Sequence, residues 1–278
     1  MKKPRQLPKK FLAAMIAVLP LPDSPMYGGN DDRVIKQALS DLEYYKKAGV
    51  DSVLLENDHD LPYIKPPLSK KSALLMTKIA KEVRKRFKKP IGIQMLEAAN
   101  ITSLEIAAKA DMDYIRVEGY VFAHVGGSGI VEGSGGKILR RRKELGAEHI
   151  KVFGDVKKKH CSHSLTSDLD ITDEIIQAEF FLIDGIVVTS KLTGVKPNKR
   201  DLIKAREVTK LPVIIGSGMS PTNIGDYLPL ADGFIVGSTF RKDGKFLEEL
   251  VPERLNKFMK AFLKEKKKLQ QREATTST

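Results

Sequence analysis

Short apolar runs alternate with helical patterns along the chain. The runs are rich in Val, Ile and Leu, and the segments between them carry apolar residues at the roughly 3.6-residue spacing of a helix, as in Val34, Ala38, Leu42 and Tyr45. Strands that are apolar on both faces and separated by helices are typical of a parallel sheet. The predicted strands are Leu12–Val18, Ser52–Glu56, Ile91–Met95, Tyr114–Val117, His149–Val156, Asp184–Val188, Val213–Gly216 and Gly233–Val236.

The number of predicted strands favours a closed barrel. Eight strands that alternate with helices predict an α/β protein with a single (β/α)8 TIM barrel, and 278 residues are enough for one. A doubly wound open sheet is the alternative. It is disfavoured because Leu19-Pro-Leu-Pro22, and not a Gly-rich motif, follows the first strand. We assign residues 11–263 to the barrel, 1–10 to a basic flexible N-terminus and 264–278 to a basic, polar flexible tail.

The net charge of +13 is concentrated at the two ends of the chain. Residues 1–10 carry +5 and residues 257–272 carry +6, which leaves +2 for everything between them. A nearly neutral body without Trp or a recognisable module disfavours specific nucleic-acid binding. Basic ends of this kind are typical of solvated tails, and peripheral contact with an anionic membrane is the alternative.

Two turns late in the sequence predict a phosphate site. Each follows an apolar strand and contains Gly and Ser, which let backbone N–H groups approach an anion. In (β/α)8 barrels the loops after strands 7 and 8 build such a site. The expected phosphate-binding residues are Gly216, Ser217, Gly218, Gly237 and Ser238. A Gly218→Asp variant is expected to abolish binding and to leave the fold intact.

Charged residues collect at the ends of the predicted strands. Arg116 and Glu118 share one face of their strand because side chains alternate with a period of two, and so do Asp155 and Lys157. Each pair is expected to point into the mouth of the barrel, where the alternative is a layer of ion pairs. In an enzyme, Asp155 or Glu56 would act as acid or base. Lys157 or His160 would stabilise developing negative charge, and Arg116 is the further catalytic candidate.

Two other motifs have weaker interpretations. Gly127–Lys137 is rich in glycine but lacks the spacing of a P-loop, so it is interpreted as a mobile loop over the site. His160, Cys161 and His163 are residue types that bind zinc or iron, yet their local pattern matches no known finger. No metal site or cofactor is therefore assigned, and a divalent metal stays an alternative.

An ordered set of short motifs runs along most of the chain. The motifs are Pro20–Pro25, Glu56–Tyr63, Tyr114–Val117, Gly129–Gly133, Asp155–His160, Thr193–Gly194, Gly216–Gly218 with Asn223, Ala231–Gly237 and Lys242–Gly244. Together they resemble the BtpA family, a photosystem I biogenesis type of TIM-barrel protein. The resemblance implies a barrel of the ribulose-phosphate-binding type and no settled reaction. Two positions differ from the family pattern. Ala17 replaces a His, and the loop after the third strand lacks an Arg.

Two classes of function follow. The protein is either an enzyme that acts on a phosphorylated small molecule or nucleotide, or a non-catalytic assembly or stability factor for a membrane-associated complex. An open cavity in which Glu56, Asp155 and Lys157 converge would favour chemistry. A second copy of the chain is a further partner that the sequence leaves open. The cytoplasm is the expected compartment, with mitochondrial or peripheral membrane locations as alternatives.

Overall fold

All eight predicted strands are present and form a closed parallel barrel. The computed structural model describes residues 5–190 and 194–276. The strands in chain order are β1 (Phe11–Ala17), β2 (Ser52–Glu56), β3 (Ile91–Gln94), β4 (Tyr114–Val117), β5 (His124–Gly126), β6 (Gly129–Val131), β7 (Lys151–Val156), β8 (Gly185–Val188), β9 (Val213–Ile215) and β10 (Gly233–Val236). The barrel order is β1-β10-β9-β8-β7-β4-β3-β2, and β5 and β6 form a separate antiparallel hairpin.

Helices follow the barrel strands and cover the outside of the sheet. They are α1 (Asp31–Ala48), α2 (Lys70–Arg86), α3 (Asn100–Lys109), α4 (Gly135–Glu144), α5 (Ile171–Phe180), α6 (Lys199–Val208), α7 (Ile224–Tyr227) and α8 (Pro252–Thr276). The first helix shows why these segments form where they do. The Asn30 side chain accepts from the N–H of Arg33 at the N-terminus, and Gly49 ends the helix in a left-handed conformation with φ 80°.

The interior of the barrel has an apolar lower layer. It is filled by Phe11, Ala13, Leu54, Tyr114, Phe153, Val187, Ile214 and Ile235. Glycines make room for the large rings, since a Cβ on Gly92 would lie 2.1 Å from Cε2 of Tyr114. Two residues further along β2, β4 and β7, the same inward positions carry Glu56, Arg116 and Asp155. The charged layer therefore lies between the apolar layer and the C-terminal mouth.

Both ends of the described chain contact the barrel. Nη2 of Arg5 lies 2.8 Å from Oδ2 of Asp111, and Nη1 of Arg5 lies 3.1 Å from Oδ1 of Asp113. Helix α8 extends past residue 263, where the sequence places the end of the barrel domain, and reaches Thr276. Within the described ranges, no helix has the length and hydrophobicity needed to cross a bilayer.

Candidate functional site

A cavity of about 840 Å³ lies at the C-terminal ends of the barrel strands. Residues at or next to the ends of β2, β3, β4 and β9 line it, namely Glu56, Gln94, Arg116 and Gly216. Part of its wall is apolar and comes from Leu61, Pro62, Tyr63, Leu96, Phe246 and Leu247. Some of the predicted site residues therefore meet in one cavity, but Asp155 and Lys157 do not line it.

Arg116 is buried and binds two carboxylates. Its Nε and Nη2 donate to the two carboxylate oxygens of Asp155 at 2.8 and 2.9 Å, and its Nη1 donates to Oε1 of Glu56 at 3.1 Å. Burial by itself lowers the pKa of Arg116, but Asp155 and Glu56 raise it above its usual value. Arg116 is therefore a fixed positive charge, and both oxygens of Asp155 are engaged in holding it.

Glu56 and Asp58 form a pair of acidic side chains in the wall of the cavity. Burial, and then the charge of Asp58, raise the pKa of Glu56 to about 7. Burial also raises the pKa of Asp58. Two neighbouring carboxyl groups resist simultaneous ionisation, so the pair can hold and release a proton near neutral pH. Asp58 lies within the Glu56–Tyr63 motif, but the sequence analysis gave it no role.

The prediction that Lys157 shares the mouth with Asp155 is wrong. Strand β7 ends at Val156, and Lys157 has a left-handed backbone with φ 45°, so the alternation of side chains stops there. The Nζ of Lys157 donates to the carbonyl oxygens of Leu169 and Thr166 at 2.9 and 3.4 Å. These contacts tie its ammonium to the segment before α5 and not to the cavity.

The next three residues of this loop line the cavity in place of Lys157. Lys158 lies 2.7 Å from Oε1 of Glu97 and 3.1 Å from Oε1 of Glu118, and it is buried. Lys159 is half-buried, while His160 is exposed at the rim. The run of three lysines after a strand was the available signal, but the sequence could not show which of them turns inward.

The loops after β9 and β10 present backbone donors to the cavity. Ser217, Gly218, Gly237 and Ser238 all line it. Across residues 5–190 and 194–276, the N–H groups of these four residues have no hydrogen-bond acceptor. The buried Oγ of Ser217 also lacks a partner there. Ser217 is buried and the other three residues are partly exposed, so these donors are accessible to a ligand in the cavity.

Two glycines of these loops cannot be replaced without strain. A Cβ on Gly237 would lie 2.4 Å from Cε of Met15. Gly218 has φ 78°, and a Cβ there would lie 2.2 Å from the carbonyl oxygen of Val195. The expectation that Gly218→Asp leaves the fold intact is therefore wrong, because both the backbone conformation and the available space oppose any side chain at this position.

The His160–His163 segment does not assemble a metal site. Nε2 of His163 lies 2.9 Å from the carbonyl oxygen of Lys158. Burial raises the pKa of the Cys161 thiol to about 11, so the thiolate that a metal needs is disfavoured. No group of three or more His, Cys, Asp and Glu side chains is arranged to hold a metal ion in the part of the chain that the structure describes.

The Gly-rich segment predicted to be a mobile loop is largely regular structure. Its first part forms the β5–β6 hairpin, and its last residues begin α4. The N–H of Ser128 donates to Oε2 of Glu97 at 3.3 Å, and its hydroxyl donates to the same oxygen. Val125 of the hairpin pairs with Ser162 in the loop after β7. The hairpin is thus bound to the loops that follow β3 and β7, at the edge of the cavity.

The family model described as "BtpA family" matches residues 8–264. The chain belongs to the BtpA family. An uncharacterized mitochondrial protein of Caenorhabditis elegans is 39% identical over 91% of this chain and 92% of its own length. The photosystem I biogenesis protein BtpA of Synechocystis is 33% identical over 89% of this chain and 86% of its own length. Of the family motifs, Thr193 lies outside the described residues.

Solved structures share the fold at low sequence identity. The 3-hexulose-6-phosphate synthase of Salmonella typhimurium has a TM-score of 0.58 at 17% identity, covering 92% of this chain and 99% of that protein. Thiamine phosphate pyrophosphorylase of Pyrococcus furiosus has a TM-score of 0.56 at 13% identity, with 92% and 96% covered. The predicted fold class, a single (β/α)8 barrel, is confirmed.

Proposed function

We propose that this protein binds a phosphorylated small molecule and carries out acid/base chemistry on it. The observation that carries the proposal is a set of N–H groups, at Ser217, Gly218, Gly237 and Ser238, that have no acceptor among the residues the structure describes. They lie in the same cavity as the Glu56 and Asp58 pair. Backbone N–H groups in a Gly-rich turn match the acceptor oxygens of a phosphate. A phosphate held there leaves the rest of the ligand inside the cavity.

Glu56 is the better of the two predicted acids or bases. Its pKa of about 7 leaves comparable amounts of the carboxylic acid and the carboxylate at neutral pH, so it can both donate and accept a proton. Asp155 has both oxygens committed to Arg116 and positions that guanidinium. Arg116 supplies positive charge for an oxygen that becomes negative during proton transfer. His160 stays a candidate at the rim.

The fold neighbours support phosphate as the common feature of the ligand. 3-Hexulose-6-phosphate synthase is named for a phosphorylated sugar, and thiamine phosphate pyrophosphorylase is named for a phosphorylated vitamin. Of these properties, we propose only a phosphate group in the ligand for this chain. The reacting part of its ligand must be inferred from its own cavity.

The phosphate site is tested by comparing Ser217→Asp with Thr222→Asp. Both variants add one carboxylate near the connection after β9, but Ser217 lines the cavity and Thr222 is exposed. Inorganic phosphate should raise the melting temperature of the wild type and of Thr222→Asp. It should not raise that of Ser217→Asp, because the new carboxylate competes for the same N–H donors. Equal stabilisation of the two variants contradicts the site.

A second candidate is the assembly or stability factor. The observation that favours it is the name of the Synechocystis relative, a photosystem I biogenesis protein. The basic residues of α8 would then contact an anionic membrane or a partner. Vesicles with and without anionic lipid, sedimented with the protein, test the membrane contact. We expect cytoplasmic location, and the mitochondrial description of the worm relative marks the alternative.

A further inference from the structure

Lys159 differs from the other buried cations at the mouth of the barrel. Arg116 is bound by Asp155 and Glu56, and Lys158 is bound by two further carboxylates. Lys159 lines the same cavity and is half-buried. Among the described residues, its Nζ has no hydrogen bond and no ion pair within 4.0 Å. Its side chain therefore ends in the cavity without a fixed partner.

The surroundings of Lys159 disfavour the ammonium form. Burial, and then the neighbouring charge of Arg116, lower the pKa of Lys159, although Glu56, Asp155 and Asp58 act in the opposite direction. An amine that is desolvated and lies close to another cation is the type that attacks carbonyl carbons. The only form that can attack is the neutral one, since its nitrogen then carries a free electron pair.

We propose that Lys159 is a carbonyl-reactive amine, and that the phosphorylated ligand is therefore an aldehyde or a ketone. The phosphate part of this inference rests on the proposed function. The reactive lysine rests on the position of Lys159 in the cavity and on the lack of a partner for its Nζ.

The covalent step uses groups that line the cavity. The Nζ lone pair of Lys159 forms a bond to the carbonyl carbon, and the carbonyl oxygen takes up a proton. After a second proton transfer that oxygen leaves as water, and a protonated C=N bond remains. One amine, one carbonyl compound and one proton thus give one iminium ion and one water. Glu56 in its acid form is the proton donor, and as a carboxylate it accepts a proton from the carbon next to the iminium.

Pyridoxal 5′-phosphate with borohydride tests this inference, because the probe combines an aldehyde with a phosphate. Borohydride delivers a hydride to the C=N bond and fixes the adduct as a secondary amine, which peptide mass spectrometry locates. Lys159 should be labelled at least about tenfold more than any other lysine. The neighbouring Lys157 and Lys158, both held by protein groups, serve as internal controls. Labelling without preference for Lys159 overturns the inference.

Two further measurements separate the amine from the phosphate site. Lys159→Arg replaces the amine with a guanidinium, which is not a comparable nucleophile, so the label should disappear while stabilisation by inorganic phosphate persists. Pyridoxal, which lacks the phosphate, should label Lys159 more slowly, and inorganic phosphate should protect against the phosphorylated probe only. Equal labelling of Lys159 by both probes would support a reactive amine but would contradict the phosphate site. Stabilisation by phosphate without any label at Lys159 would support the phosphate site but would contradict the proposal that Lys159 is a reactive amine.

Discussion

Arg116 joins β4 to β7 and to β2 through its contacts with Asp155 and Glu56. The period of two along β4 correctly placed its side chain inside the barrel. The bidentate contact with Asp155 and the third bond to Glu56 depend on register between strands that are far apart in the chain. The same rule failed at Lys157, because it applies only within a strand and the backbone turns left-handed there. The direction of a side chain beyond the end of a strand can therefore be assigned only from the structure.

The pH dependence of stability tests the environment of Glu56. Because its pKa is raised from 4.5 to about 7, folding favours the protonated form, and the associated stability is lost as the pH rises through that range. Glu56→Gln cannot ionise. Its free energy of unfolding should therefore rise relative to the wild type between pH 4.5 and about 7, by at most about 1.4 kcal/mol per pH unit for one proton.

Urea unfolding at a series of pH values measures this difference. Loss of the contact with Arg116 changes the free energy of unfolding of Glu56→Gln by a constant amount. The informative quantity is therefore the slope of this free energy with pH, and not its absolute value. Glu253→Gln, at an exposed position, controls for the chemical change. A wild-type minus variant difference that stays constant across this range contradicts an acid group with a raised pKa at Glu56.

At the scale of elements, helices and barrel strands were predictable and the β5–β6 hairpin was not. The long strands and helices carry their own apolar period, whereas each hairpin strand has only three residues and includes a glycine. Its order comes from contacts outside the segment, with Glu97 through Ser128 and with Ser162 through Val125. Composition alone therefore indicated a mobile loop.

Glu97→Gln should loosen the hairpin. Glu97 binds both Ser128 and Lys158, and removing its charge leaves a buried ammonium with Glu118 as its remaining carboxylate. A charged hydrogen bond of this kind contributes about 1.5–3 kcal/mol. Amide hydrogen exchange in residues 124–131 should rise by about tenfold or more. Glu132→Gln, an exposed change close to the hairpin, should leave the exchange rates unchanged. Unaltered exchange in Glu97→Gln would show that Glu97 does not hold the hairpin.

At the scale of the whole molecule, the eight apolar runs were enough to predict the barrel, because parallel strands buried on both faces have few other arrangements. The closed barrel brings Glu56, Arg116 and Gly216 to one cavity from distant parts of the sequence. The mouth is open, but of the three residues that the enzyme hypothesis placed there only Glu56 lines the cavity. The group beside Glu56, however, is Lys159 and not Lys157. The fold could thus be predicted from the hydrophobic pattern of the sequence. The partners of each site residue depend on strand register and loop conformation, which the sequence pattern does not show.

The most direct test of the proposed function is a titration of the 15N-labelled protein with inorganic phosphate, followed through its amide resonances. We predict that the N–H signals of Ser217, Gly218, Gly237 and Ser238 move together and saturate with one dissociation constant, since these residues line the cavity and their N–H groups have no acceptor within the described part of the chain. Signals of these four residues that stay in place at saturating phosphate, or a response confined to the basic residues of α8, would contradict it.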